Sequence, residues 1–223
     1  MSQQLTVTPT NKIISIRPFK ENFQIHWLIG TRCNYSCSYC PPEWNSKTDK
    51  HLTYEQLTAA WEKIVKSTEH IKLVTYDLCI MGGEPTLNKN LLPFLKWLKE
   101  SFNDKLDNVG IITNGTATKQ YYKELLQYCK WITFSTHSEF MNEKKFFDML
   151  IYIHNESKQT DCRIHVNLME EEWHLDRNLE YENLLQHYNI SYQKHKIVKV
   201  TNNKHLPVKN INWINFDDYI SDK

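Results

Sequence analysis

No sign of charge dominates this chain. Lys+Arg number 27 against Asp+Glu 26, a formal net charge of +1 over 223 residues. A dedicated nucleic-acid binder would carry a strong basic surplus, so that class is not expected. Long apolar runs are also missing, and no stretch approaches the ~18 consecutive apolar residues of a membrane span. The N-terminus, MSQQLTVTPTNKIISIRPFK, has no apolar segment of signal-peptide length followed by a small-residue cleavage site. A chain that stays in the cytoplasm is the expectation. Cysteine is too sparse, at six, for a disulfide scaffold, which is short and cysteine-dense. Disorder needs few aromatics and a large net charge, whereas seven Trp, nine Phe and twelve Tyr are present. Repeats and low-complexity segments are absent. With only five glycines, each position is informative.

What is present is an alternation of two hydrophobic periods. Strand patterns fall at Phe23–Gly30, Leu73–Met81, Val109–Thr113, Trp131–Ser135, Arg163–Met169 and Ser191–Val200. Helical stripes lie between them at Thr53–His70, Leu91–Phe102, Tyr121–Cys129, Glu143–His154 and Leu179–Tyr188. Thr53 and Gln56 fit a capping box. Strands alternating with helices mean repeated βαβ units and a parallel sheet, either doubly wound or a barrel. In both, chemistry gathers beyond the carboxyl ends of the strands. Gly30, Gly82, Gly83 and Gly115 all fall at or just past such ends; Gly110 does not. The expected domains are an N-terminal extension over 1–22, a core over 23–200 and a C-terminal extension over 201–223. Ile211, Trp213, Ile214 and Phe216 are expected to dock that last segment on the core.

Charge separates late in the chain. Glu170, Glu171, Glu172, Asp176, Glu180 and Glu182 precede a stretch bearing Lys194, Lys196, Lys199, Lys204 and Lys209. Such runs are usually a solvated face; the functional alternative is a basic rim for a phosphate-bearing substrate.

Three of the cysteines crowd into eight residues, with the spacing Cys33-x3-Cys37-x2-Cys40 and Tyr39 just before the third. Three thiolates can hold an iron–sulfur cluster, although a 4Fe–4S cube normally takes four protein ligands. An open coordination position distinguishes a metal site that does chemistry from one that only holds structure. A zinc site would need a fourth ligand at ordinary spacing, and the nearest downstream histidine, His51, stands alone. A thioredoxin-type Cys37-x2-Cys40 leaves Cys33 unexplained. Cys79, Cys129 and Cys162 read as buried thiols.

The cysteine spacing, followed by Ile80-Met81-Gly82-Gly83-Glu84-Pro85-Thr86 at the second strand end and Thr113-Asn114-Gly115 at the third, resembles the radical S-adenosylmethionine (radical SAM) superfamily. The resemblance spans about residues 23 to 200, with its specific motifs in the first half. It implies a partial (β/α)6 TIM-like barrel of class α/β, open on one side. Its cofactors would be a 4Fe–4S cluster on Cys33, Cys37 and Cys40 and S-adenosylmethionine (SAM) on the fourth iron. Gly82, Gly83 and Glu84 would receive the methionine ammonium, a cation suited to charge-assisted hydrogen bonds. Tyr39 would lie near the adenine, and Asn114, Ser135 and Asn167 are further SAM candidates. One electron would cleave the sulfonium to a 5′-deoxyadenosyl radical that takes hydrogen from substrate.

Two departures matter. His137 stands where the family often has an acid for the SAM ribose; it could bind ribose, bind substrate or donate a proton. No cysteine follows Cys162, so a cysteine-rich auxiliary-cluster domain is not expected, and a cobalamin domain has no room. Glu43, Trp44 and Asn45 could line a substrate entrance. The reading is an enzyme acting on a small polar metabolite, such as a sugar or nucleotide derivative, with flavodoxin or ferredoxin as reductant and no membrane partner. The alternatives are a glycyl-radical activating or peptide-modifying enzyme, and a non-enzymatic zinc or SAM-binding barrel.

Overall fold

A computed structural model describes residues 13–19, 22–70, 75–170 and 175–197. They form one seven-stranded sheet whose spatial order follows the chain. The strands are β1 (Ile13–Phe19), β2 (Asn22–Leu28), β3 (Thr75–Met81), β4 (Leu106–Thr113), β5 (Trp131–Ser135), β6 (Arg163–Glu170) and β7 (Ser191–Lys196). The helices α1 (Tyr54–Thr68), α2 (Leu91–Phe102), α3 (Lys119–Leu125), α4 (Glu143–Ser157) and α5 (Leu175–His187) connect β2 through β7. All five of those pairings are parallel. Each crossover advances one strand in the same direction, which gives the six-stranded partial α/β barrel expected. Every strand end from β2 to β7 therefore points to one edge. Among the described residues no helix is long and apolar enough to cross a membrane.

Local chemistry explains the elements. At α1 the Thr53 hydroxyl accepts from Gln56 N (3.3 Å) and the Gln56 side chain accepts from Thr53 N (2.9 Å), a reciprocal cap contributing about 1 kcal/mol. Its apolar stripe buries Leu57, Ala60, Trp61, Ile64 and Val65. Trp61 stacks on Trp27 of β2 at 6.4 Å, and Trp27 meets Phe94 of α2 edge-on at 5.6 Å, so one aromatic column ties two helices to the first parallel strand. The wide apolar surface of α4 is used in full: Phe146, Phe147, Met149, Leu150 and Ile153 are all buried. Cys79, Cys129 and Cys162 are buried thiols.

Departures from the sequence reading include the first strand and the start of α5, whereas the late charge run is the solvated face expected. The segment read as an extension before residue 23 supplies β1, an antiparallel partner of β2 from Phe19↔Asn22 to Ile13↔Trp27. Helix α5 begins a turn before its expected start, because Leu175 and Leu179 face solvent while Asn178, Tyr181, Leu184 and Leu185 are buried. The late charge run folds back on itself: Lys194 Nζ lies 2.6 Å from Glu182 and 3.1 Å from Glu170 on an exposed face. Lys199, Lys204, Lys209 and the apolar residues of 211–216 lie outside the described residues.

Gly110 is the glycine that sits inside a strand. It pairs with Trp131 across β4 and β5, and a Cβ there would fall 1.8 Å from the indole. Gly110→Ala must displace that ring, and should lower unfolding free energy by about 1–3 kcal/mol. Urea denaturation measures this; native stability in the variant would refute the packing account.

Candidate active site

The site starts from two backbones in close contact. Chain leaving β2 crosses directly over chain leaving β3: Gly83 N donates to Gly30 O (3.0 Å) and Glu84 N to Arg32 O (2.8 Å). A Cβ on Gly83 would lie 2.4 Å from Arg32 O and 2.5 Å from Thr31 O; one on Gly82 (φ +150°) would lie 2.4 Å from Gly30 O. Both glycines are required by this crossing. It fixes where the cysteine loop begins.

The loop is held at its base as well. Cys33 N donates to Ser46 O (3.1 Å), and Lys47 Nζ donates to the carbonyls of Cys33 (2.9 Å) and Tyr35 (2.5 Å). Asp49 accepts from Thr31 N at 3.0 Å and from its hydroxyl. Cys40 N donates to Cys37 O (3.1 Å), closing a turn that brings the last two cysteines together. Burial raises the pKa of each thiol, Cys40 to about 11, and neighbouring cysteines raise Cys37 and Cys40 further. In the metal-free protein all three are protonated at neutral pH, so a metal must displace protons to bind.

Cys33, Cys37 and Cys40 line one cavity of about 330 Å³ at the carboxyl edge of the sheet. Tyr39, Gly82, Gly83, Asn114, Ser135, His137 and Asn167 line it too. His51, the nearest candidate for a fourth zinc ligand, does not. Among the described residues, no three His, Cys, Asp or Glu side chains close around a single ion-sized point. Three thiols sharing one wall match the ligand number of a cluster in which each thiolate holds its own iron.

Glu84 lies behind this cavity, 2% exposed. Its carboxyl accepts from Thr86 N (2.9 Å), Thr86 Oγ1 (2.5 Å), Thr113 Oγ1 (2.8 Å) and Asn114 N (2.6 Å). Burial pushes its pKa up and these donors pull it back. The side chain thus braces the end of β3 against the end of β4, and the backbone of Gly82 and Gly83 lines the cavity in its place.

His137 Nδ1 is 2.6 Å from Tyr39 Oη, with the rings stacked at 6.0 Å. Desolvation lowers its pKa to about 4, so the ring is neutral near pH 7. Asn114 donates to Asn34 Oδ1 (2.8 Å) and approaches Cys33 Sγ at 3.9 Å. Asn167 donates to Ser135 Oγ (3.5 Å) and its carbonyl oxygen lies 3.1 Å from His195 Nε2. His195, Met169 and Tyr35 complete the lining and were not singled out from sequence. Of residues 43–45, Trp44 and Asn45 line the cavity, whereas Glu43 is exposed.

The sequence profile of the radical SAM superfamily matches residues 27–160, more than half of the chain. The chain belongs to the radical SAM superfamily. Radical SAM enzymes use a 4Fe–4S cluster and SAM. Proteins named GTP 3′,8-cyclase are among its relatives. That of Staphylococcus epidermidis is 32% identical over 106 residues, covering 44% of this chain and 29% of the relative. That of Thermodesulfovibrio yellowstonii is 32% identical over 112 residues, 48% and 33% of the two chains. That of Ectopseudomonas mendocina is 34% identical over 108 residues, 48% and 30%. The chain spans about a third or less of these relatives' length.

Two predictions follow from this radical SAM site. Glu84→Ala strands two buried N–H donors and two hydroxyls, so the cofactor-free protein should lose about 3 kcal/mol or more in urea unfolding. A loss under 0.5 kcal/mol would mean the carboxyl is no brace. Second, His137 should stay neutral from pH 8 to pH 5 and protonate only as pH falls toward about 4. An NMR titration midpoint above 6 for its ring protons would contradict the buried-imidazole account.

Proposed function

We propose that this chain is a radical SAM enzyme of a reducing, cytoplasmic compartment that takes hydrogen from a small polar metabolite, a sugar or nucleotide derivative. The observation that carries the reading is one cavity lined by three thiols and by the hydrogen-bonding row Ser135–Asn167–His195. The names of the relatives, GTP 3′,8-cyclase, support a nucleotide. When bound, the cluster and SAM supply one-electron cleavage of a carbon–sulfur bond and the carbon radical that abstracts hydrogen.

This chain's own residues do the rest. Cys33, Cys37 and Cys40 hold three irons as thiolates. The backbone of Gly82 and Gly83 offers polar groups to the amino-acid end of SAM, with no side chain in the way. Tyr39, Asn114, Ser135 and Asn167 orient the nucleoside end. Met169 and Trp44 add apolar wall that keeps water from a reactive intermediate. The neutral His137 ring serves as a hydrogen-bonding partner of Tyr39. A small reducing protein such as flavodoxin or ferredoxin delivers the electron.

Anaerobically reconstituted protein, given SAM and dithionite, should release 5′-deoxyadenosine and methionine. The Cys33→Ala/Cys37→Ala/Cys40→Ala variant should release neither. Ribonucleotides or sugar phosphates should raise the native yield, and short peptides should not. A native chain carrying a full cluster but inert with every small metabolite, and active on a protein chain, would replace this reading with the peptide-modifying one.

A further inference from the structure

Residues 137–140, just past β5, grip the cysteine loop at four points. Glu139 accepts from the Ser38 backbone N–H (2.6 Å) and, through its other oxygen, from the Ser38 hydroxyl. Ser38 lies inside the turn from Cys37 to Cys40. His137 meets the neighbouring Tyr39 hydroxyl and stacks on its ring. Phe140 stacks on Tyr35, two residues before Cys37, at 5.7 Å, and His137 meets Tyr35 edge-on at 6.0 Å. This contact accounts for a phenylalanine left 46% exposed.

The grip is itself rigidly based. Thr136 N donates to Asn167 O (3.0 Å), and Phe140 N and Met141 N both donate to His137 O (2.9 Å each). The segment then runs into α4, whose first turn is capped by Asn142. The cysteine turn is thus held against β5 and β6 rather than against another loose loop.

We propose that Glu139 is a positioning residue for the cluster: it holds the Cys37–Cys40 turn in its ligating shape before iron arrives, and its charge lowers the reduction potential of the bound cluster. This rests on the cluster reading above. Ordering a free loop costs roughly 1–2 kcal/mol per residue, and a loop already gripped at positions 35, 38 and 39 avoids that cost when metal binds. Two effects push the potential in one direction. A carboxylate beside Cys37 opposes the added electron, and it occupies the Ser38 N–H, a donor that would otherwise be free to stabilise cluster sulfur.

The test compares native, Glu139→Ala and Glu139→Gln proteins after anaerobic reconstitution. Iron retention is followed under chelator challenge, and midpoint potential by titration monitored through the electron paramagnetic resonance of the reduced cluster. Glu139→Ala should lose iron about tenfold faster, as expected when both hydrogen bonds to Ser38 are lost. Its potential should move positive, while the cofactor-free protein unfolds within a few degrees of native. Glu139→Gln can still accept from Ser38 N–H and donate to its hydroxyl, so it should retain iron like native protein yet also show the positive shift. That split between retention and potential is something a merely structural side chain would not produce. Native retention and native potential in Glu139→Ala would overturn the proposal, as would equal iron loss in both variants. A native chain that binds no cluster would overturn the underlying reading and this inference with it; the other failures leave that reading standing.

Discussion

The crossing of two backbones at Gly30–Arg32 and Gly82–Glu84 is the contact on which the rest of the site depends. Two N–H···O bonds of 3.0 and 2.8 Å join the segments, and Gly82 and Gly83 have no room for even one carbon. Parallel strands bring their carboxyl ends to the same edge, but they do not by themselves bring two exiting chains into contact. The Gly-Gly pair does that, and so presents the cysteine loop and a bare stretch of backbone to one cavity. Glu84 serves the same end from below. Its four hydrogen bonds tie the β3 exit to the β4 exit, so the floor of the cavity is fixed across three neighbouring strands.

Electrostatics set the thiol side of the cavity apart from the side that offers hydrogen bonds. Buried thiols with like neighbours resist ionisation until metal supplies positive charge. Across from them, Ser135, Asn167, His137 and His195 offer hydrogen bonds, and desolvation keeps His137 uncharged at neutral pH. Donors and acceptors in a partly dry cavity discriminate by geometry, because a buried polar group left unpaired costs more than a correct pairing gains.

Much of this was legible from sequence because the signals were local. Leu91–Phe102 and Trp131–Ser135 were read at the bounds the structure has, and the Thr53–Gln56 cap was visible in spacing alone. Cys33, Cys37, Cys40, Gly82 and Gly83 fall together in the cavity, since each follows a strand whose end is easy to find. What sequence did not reveal depends on contacts between distant segments. The partner of Tyr39 is 98 residues away, and that of Ser38 is 101 away. Glu84 looked like a ligand-facing acid because a motif names residues without saying which way their side chains point. His195 was submerged in a basic run, yet Lys194 pairs outward with Glu170 and Glu182 while the next residue, on the opposite face of the same strand, lines the cavity. β1 was missed because an edge strand with a single partner leaves little periodicity to read.

The residues that line the cavity fall on both sides of the end of the superfamily match. The superfamily profile ends at residue 160, after supplying all three cysteines, both glycines, Glu84 and the 137–140 segment. Asn167, Met169 and His195 lie beyond it, on β6 and β7. The matched part carries what every member must do, which is to hold a cluster and the molecule it cleaves. Among the described residues β7 stands last in the sheet order, paired with β6. Asn167, Met169 and His195 thus reach the cavity without taking part in the crossing at Gly82 and Gly83.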